Sequence, residues 1–160
     1  MLEKNNNIFL IFILLLISIA FVATLIIQYG LGHQPCKLCL YERIPYVLSI
    51  LLIVVILFIK KYQKAGLLIL SVIFLLSFSL AFYHFGIEQG FFEELSVCGT
   101  GNNADELSKE QVLELLKQNT LSCKDVTFRI LGLSLATINS IFSFILSGMF
   151  LRLFIKYENN

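Results

Sequence analysis

The chain has no tryptophan, two prolines and few charges: Asp, Glu, Lys and Arg make up 14% of its 160 residues, with a formal net charge of +1. Near-neutrality removes the electrostatic footprint that nucleic-acid binding requires. The missing tryptophan leaves Phe and Tyr to supply aromatic side chains at any membrane interface. No internal repeat or low-complexity tract stands out, so a single domain, residues 1–160, is the natural count at this length. The chain is rich in apolar residues instead: 58%, against about 45–50% in an ordinary globular domain. The excess comes in blocks, the mark of a membrane protein rather than of a large soluble core.

From Asn5 to Gly32 there is no formally charged residue, and Ile8 to Ile27 is almost wholly aliphatic. That covers the roughly 20 residues a spanning helix needs. A secretory signal peptide is the alternative, but its apolar region is only about 7–15 residues, followed by a small-residue cleavage site. This run is longer, and Gln28-Tyr29-Gly30-Leu31 is a poor cleavage sequence. The second run, Ile44 to Ile59, is too short for a ~30 Å core at about 1.5 Å per residue, so its helix is expected to begin near Leu40 with Arg43 at the boundary. Pro45 is tolerated near that start. Ala65 to Phe85 is uncharged apart from His84, and Ile130 to Leu151 is uncharged throughout. In lipid each run must be a helix, because backbone polar groups need internal partners. The expected fold is all-α, a four-transmembrane-helix bundle with spans about 8–31, 40–59, 65–85 and 130–151 and outer loops about 32–39 and 86–129.

Lys and Arg in short loops and tails set the orientation. Lys60, Lys61 and Lys64 crowd the link between spans two and three; Lys4 marks the N-terminal tail, and Arg152 and Lys156 the C-terminal one. These regions, both termini included, are expected to be cytoplasmic. The stretch Gly86 to Arg129 carries eight acids against four bases and fits the outside. Lys37 and Arg43 in the first loop are a mild counter-signal, overruled by the parity of four spans. Within the long loop, Gly99-Thr100-Gly101-Asn102-Asn103 reads as flexible. Ser108 and Gln111 form a capping box, with Leu107 stapling to Val112. A short amphipathic helix over about 105–118 follows, lying on the membrane surface or packed on the loop itself.

The orientation places all four cysteines outside. Cys36 and Cys39 form a Cys-x-x-Cys pair; Cys98 and Cys123 lie in the long loop with twenty-four residues between them. Thiols there meet an oxidising environment. With the second helix starting near Leu40, Cys39 falls at a helix N-terminus and Arg43 one turn on, and both should lower its pKa. Arg43 reads either as a partner for an anionic or dipolar group or as a snorkelling boundary arginine. His84, at the outer end of the third span, reads as an interfacial hydrogen-bonding residue or as a ligand to a polar cofactor headgroup. Glu88 and Gln89 beyond it are free to face solvent. Zinc is disfavoured, since structural sites combine two short-spaced ligand pairs; no metal is expected. A structural bridge explains Cys98–Cys123 adequately but Cys36–Cys39 poorly, because so tight a loop contributes little entropic stabilisation. Such bridges are the labile, catalytic kind.

Pro35-Cys36-Lys37-Leu38-Cys39-Leu40-Tyr41-Glu42-Arg43 resembles the first outer loop of the DsbB family of disulfide-forming membrane proteins. Tyr83-His84-Phe85-Gly86-Ile87-Glu88-Gln89-Gly90, Ser122-Cys123-Lys124-Asp125-Val126 and Arg129-Ile130-Leu131-Gly132-Leu133-Ser134-Leu135-Ala136 resemble later segments of the same family, so the likeness covers essentially the whole chain. The resemblance implies a quinone-dependent protein-dithiol oxidase in a bacterial inner membrane, multi-pass, with its active cysteines periplasmic. It implies disulfides Cys36–Cys39 and Cys98–Cys123, and attack on Cys98 by a DsbA-like thioredoxin-fold protein. Cys123 then engages Cys36, and Cys39 passes electrons to a quinone, ubiquinone or menaquinone, from the membrane pool. By the same likeness Arg43 stabilises the Cys39 thiolate and polarises a quinone oxygen, with His84 near the quinone. Thr127-Phe128 stands where the family has Pro-Trp, and the match between Cys98 and Cys123 is loose. The alternatives are a vitamin K epoxide reductase-like enzyme and a non-enzymatic membrane protein stapled by disulfides.

Overall fold

The structure is a computed structural model and describes residues 2–93, 123–124, 129–130 and 132–158. The Gly99–Asn103 stretch, the amphipathic helix expected over 105–118, Cys98 and Thr127-Phe128 lie outside the described residues.

Helix α1, Leu2–Leu25, continues through a π-turn at Ile26–Gly30. A short helix α2, Lys37–Tyr41, leads into α3, Ile44–Phe58. A 3₁₀ turn, Lys60–Tyr62, joins α3 to α4, Gln63–Glu88. The chain closes with α5, Leu135–Glu158. Four of the resulting segments are long and apolar enough to cross a membrane: Asn7–Gly30, Lys37–Phe58, Lys60–Glu88 and Leu135–Tyr157. Pro45 sits in the first turn of α3, where the N–H it lacks has no intrahelical partner to lose.

The distribution of side chains is that of a protein in lipid. Phe12 is 58% and Ile19 69% exposed, while Ser49, Ser71, Ser77, Ser143 and Ser147 are buried between helices. The serines pair α4 with α5: Ser71 Oγ donates to the Ser147 carbonyl at 3.2 Å, Ser147 Oγ returns a bond to the Ser71 carbonyl at 3.0 Å, and the Ser77 and Ser143 hydroxyls meet at 3.1 Å. Small side chains let the two backbones approach, and the hydroxyls satisfy one another where water is absent. The apolar core gathers Leu10, Ile13 and Ile17 of α1, Ile53 and Ile56 of α3, Leu70 and Phe74 of α4, and Phe150 of α5. Phe74 stacks on Phe150 at 5.7 Å and takes the edge of Tyr46 at 6.0 Å. Gly66 permits the closest approach of α3 and α4, since a Cβ there would lie 2.4 Å from Ile56 Cγ2.

Two boundaries differ from the sequence-based expectation. The second span begins at Lys37 rather than Leu40, because the Cys-x-x-Cys segment itself coils. The last helix begins at Leu135 rather than Ile130. Arg129 pairs with Ser134 and Ile130 with Leu133 in a two-stranded antiparallel hairpin, closed by Gly132 at φ 85. That left-handed conformation is cheap for glycine alone and keeps the helix from starting earlier.

Candidate functional site: a dithiol beside a buried carboxylate–histidine pair

Cys36 is the N-cap of α2, with φ −70 and ψ 168, and its Sγ accepts the backbone N–H of Cys39 at 3.2 Å. A cap position offers the sulfur a helix N–H and the positive end of the peptide dipoles. Cys39, one turn on, brings its Sγ to 2.7 Å from Cys36 Sγ, and both are thiols in this structure. The Cys36 thiol is pulled down to about 5: the hydrogen bond from the Cys39 thiol is the chief cause, burial works against it, and His84 adds a hydrogen bond and its charge. The helix-terminus effect expected at Cys39 therefore acts on Cys36, because α2 starts three residues earlier than the hydrophobic run implies.

His84 reaches this sulfur from α4 and is 3% exposed. Its Nε2 lies 3.5 Å from Cys36 Sγ and its Nδ1 2.7 Å from Glu42 Oε1. Glu42, in the turn between α2 and α3, is itself buried. Its other oxygen, Oε2, accepts Asn139 Nδ2 of α5 at 2.7 Å. Asn139 Oδ1 in turn accepts from the hydroxyls of Tyr46 and of Ser143. A carboxylate at this depth is tolerated because both its oxygens are occupied. Arg43 donates to Gln28 of α1, which ties the α2–α3 turn to the first span. Glu88, one turn beyond His84, has a side chain only 6% exposed and Oε1 3.9 Å from His84 Nε2. It faces inward rather than toward solvent.

Cys123 is buried and disulfide-bonded. It packs in one cluster with Cys36, Leu38 and Ile87, and Cys39 and Tyr83 lie against that cluster. The structure thus brings together Cys36, Cys39, Cys123 and His84, with Arg43 on the same cavity. The cavity holds about 440 Å³, within the usual range for ligand sites. Leu16, Ile19 and Phe21 of α1 and Phe142 of α5 give it apolar walls; Arg43, Gln28 and the cysteines lie on its polar side together with His84, Glu42 and Glu88. This suits a flat apolar ring bearing carbonyl oxygens. A guanidinium has five N–H groups, so the bond to Gln28 leaves Arg43 with further donors on this cavity. Both ring nitrogens of His84 already face protein atoms.

The sulfurs of Cys36 and Cys39 and a ring nitrogen of His84 lie within 4.8 Å of one another. Two sulfurs on one tetrahedral zinc ion, each about 2.3 Å from the metal, sit about 3.8 Å apart. At 2.7 Å the pair is nearer a sulfur–sulfur bond of about 2.05 Å than a shared metal.

Glu42, Asn139, Tyr46 and Gln28 were not among the residues expected from sequence. A signal existed for two of them: Glu42 follows Cys39 at helical spacing, and Asn139 is an amide within an uncharged apolar run.

Helices long enough to span a bilayer, together with a dithiol whose Cys36 is buried against a third, disulfide-bonded cysteine, define a membrane-embedded thiol–disulfide oxidoreductase. Residues 5–153 match the family model described as "Disulfide bond formation protein DsbB", and the chain belongs to the DsbB family. It is 29% identical to the uncharacterized protein RP370 of Rickettsia prowazekii (strain Madrid E), over 99% of this chain and 93% of that protein. No solved structure matches. Family membership carries the general activity, disulfide bond formation by a multi-pass membrane protein.

Proposed function

We propose that this protein reoxidises a periplasmic, DsbA-like thioredoxin-fold dithiol and passes the electrons to the quinone pool of a bacterial inner membrane. The observation that carries the reading is the shared cluster of Cys36 and Cys123 on one wall of an apolar cavity. Cys98, the remaining cysteine, is the natural partner of Cys123 and the site of attack by the soluble dithiol. The electron pair moves from the Cys98–Cys123 pair to the Cys36–Cys39 pair by thiol–disulfide exchange, in which a thiolate displaces one sulfur of a disulfide. The thiolate-favouring surroundings of Cys36 make it a good leaving group in that exchange. Arg43 would hold a quinone oxygen, and the apolar walls the ring and its chain. A bound quinone supplies a two-electron, two-proton acceptor. Lys60, Lys61 and Lys64 on one link support a cytoplasmic placement of that end and of both termini, which leaves the cysteines outside.

The test is quinone reduction by purified protein on addition of a reduced thioredoxin-fold substrate. Cys36→Ser and Cys39→Ser should each abolish it. Full activity in both variants, or no quinone reduction by the wild type, contradicts the reading.

A further inference from the structure

We infer that His84 is a catalytic proton carrier for Cys36, and that Glu42 and Asn139 are positioning residues that hold its ring for that task. The inference rests on the exchange reaction proposed above but not on the identity of the electron acceptor.

The geometry is that of a thiol–imidazole–carboxylate series. His84 Nδ1, 2.7 Å from a carboxylate oxygen, must carry a proton, since a carboxylate offers only lone pairs. That fixes the tautomer and leaves Nε2 as the nitrogen that exchanges a proton with Cys36 Sγ at 3.5 Å. Glu42 cannot swing away, because Asn139 holds its second oxygen and Tyr46 holds Asn139. The series draws on α3, α4, α5 and the α2–α3 turn, so packing of the whole bundle sets the ring's orientation. Burial of His84 and Glu42 keeps water from substituting for either.

The chemistry needs such a group. When Cys123 attacks the Cys36–Cys39 disulfide, a Cys123–Cys36 bond forms and Cys39 departs with the electron pair. When Cys98 then takes Cys123, Cys36 departs with the pair. Two electrons and two protons have moved from the outer dithiol to the inner one, with no outside oxidant. Within a cavity whose walls are largely apolar side chains, proton carriers must be supplied by the protein. His84 Nε2 takes the proton given up at an attacking sulfur and sets it beside the Cys36 thiolate as that sulfur leaves. The other titratable groups on this cavity are His33, Cys39, Glu42, Arg43, Tyr46 and Glu88. Only Cys39 and His84 have side chains hydrogen-bonded to Cys36 Sγ among the described residues. Nothing in the sequence reading assigned this role: His84 was expected near a cofactor headgroup, and Glu42 had none.

The experiment is an ultraviolet thiolate titration of the full-length, reduced protein in detergent, paired with its reaction rate toward a chromogenic aromatic disulfide. His84→Ala should raise the midpoint for Cys36 by about one pH unit or more and, at a pH below the wild-type midpoint, slow the reaction by about tenfold, in step with the thiolate fraction. Added imidazole should restore much of the rate in His84→Ala and none in the wild type. Glu42→Gln should move both readouts the same way by less, and Glu42→Asp should recover part of the loss. A merely structural histidine would not respond to imidazole. An unchanged midpoint in His84→Ala, or a rate loss that imidazole leaves untouched, overturns the inference. Should His84→Ala fail to fold, an unchanged midpoint in Glu42→Gln does so. Neither readout involves quinone or a partner protein. A shifted titration without quinone reduction would therefore sink the proposed function alone, and quinone reduction with an unshifted titration would sink this inference alone.

Discussion

Cys36 Sγ lies 2.7 Å from Cys39 Sγ and takes the backbone N–H of Cys39 at 3.2 Å, so one residue stabilises the other's sulfur twice. The first prediction follows. Cys36 should titrate near pH 5, far below an ordinary thiol. The sign is that of a depressed acid: thiolate predominates above the midpoint and is lost tenfold per pH unit below it. Cys39→Ala removes the principal donor and should raise the midpoint by at least about one pH unit, worth ~1.4 kcal/mol. Thiolate absorbance of the reduced protein measures both values, and a wild-type midpoint near that of a free cysteine would refute the assignment.

Arg43 and Gln28 form the second testable pair. Arg43→Ala removes the charged donor on the cavity's polar side and should raise the apparent quinone KM by about tenfold, on the scale of one charge-assisted hydrogen bond. Gln28→Ala frees the guanidinium and should have a smaller effect in the same direction. Steady-state kinetics against quinone concentration decide it; an unchanged KM in Arg43→Ala removes that residue from the binding site.

Gly66 offers a test of the packing. A methyl group there would meet Ile56 Cγ2 at 2.4 Å, and Ile56 is fully buried between α3 and α4. Gly66→Ala should destabilise the bundle by about 1–3 kcal/mol, as overpacked cores do. A clear fall in Tm in detergent is expected; an unchanged Tm would mean the two helices are looser than described.

Much of this arrangement could be read in the chain before folding. Each of the four spans is built on an uncharged apolar run with no other stable fate in lipid, and the Cys-x-x-Cys motif marks itself. Helix starts were harder. Lys37, Glu42 and Arg43 interrupt the apolar pattern, which hid the true start of the second span, and Gly132 turns the chain back before α5. The site was legible only in part, because its polar connections are non-local. Glu42 and His84 are 42 residues apart, and Glu42 and Asn139 are 97 apart. Helix periodicity shows which residues share a face of one helix, not which face meets another. Glu88 illustrates this: at a span's end it reads as solvent-facing, and only the packing of α4 turns it inward.

If the two cysteine pairs exchange electrons directly, Cys36 and Cys123 must be able to bond. The doubly substituted protein Cys39→Ser, Cys98→Ser retains only those two cysteines. Mild oxidation of this variant in membranes, followed by peptide mapping without reductant, should yield a Cys36–Cys123 disulfide in most molecules. Two thiols that stay separate under conditions that close the wild-type bridges would mean the loops do not communicate, and the relay would have to be abandoned.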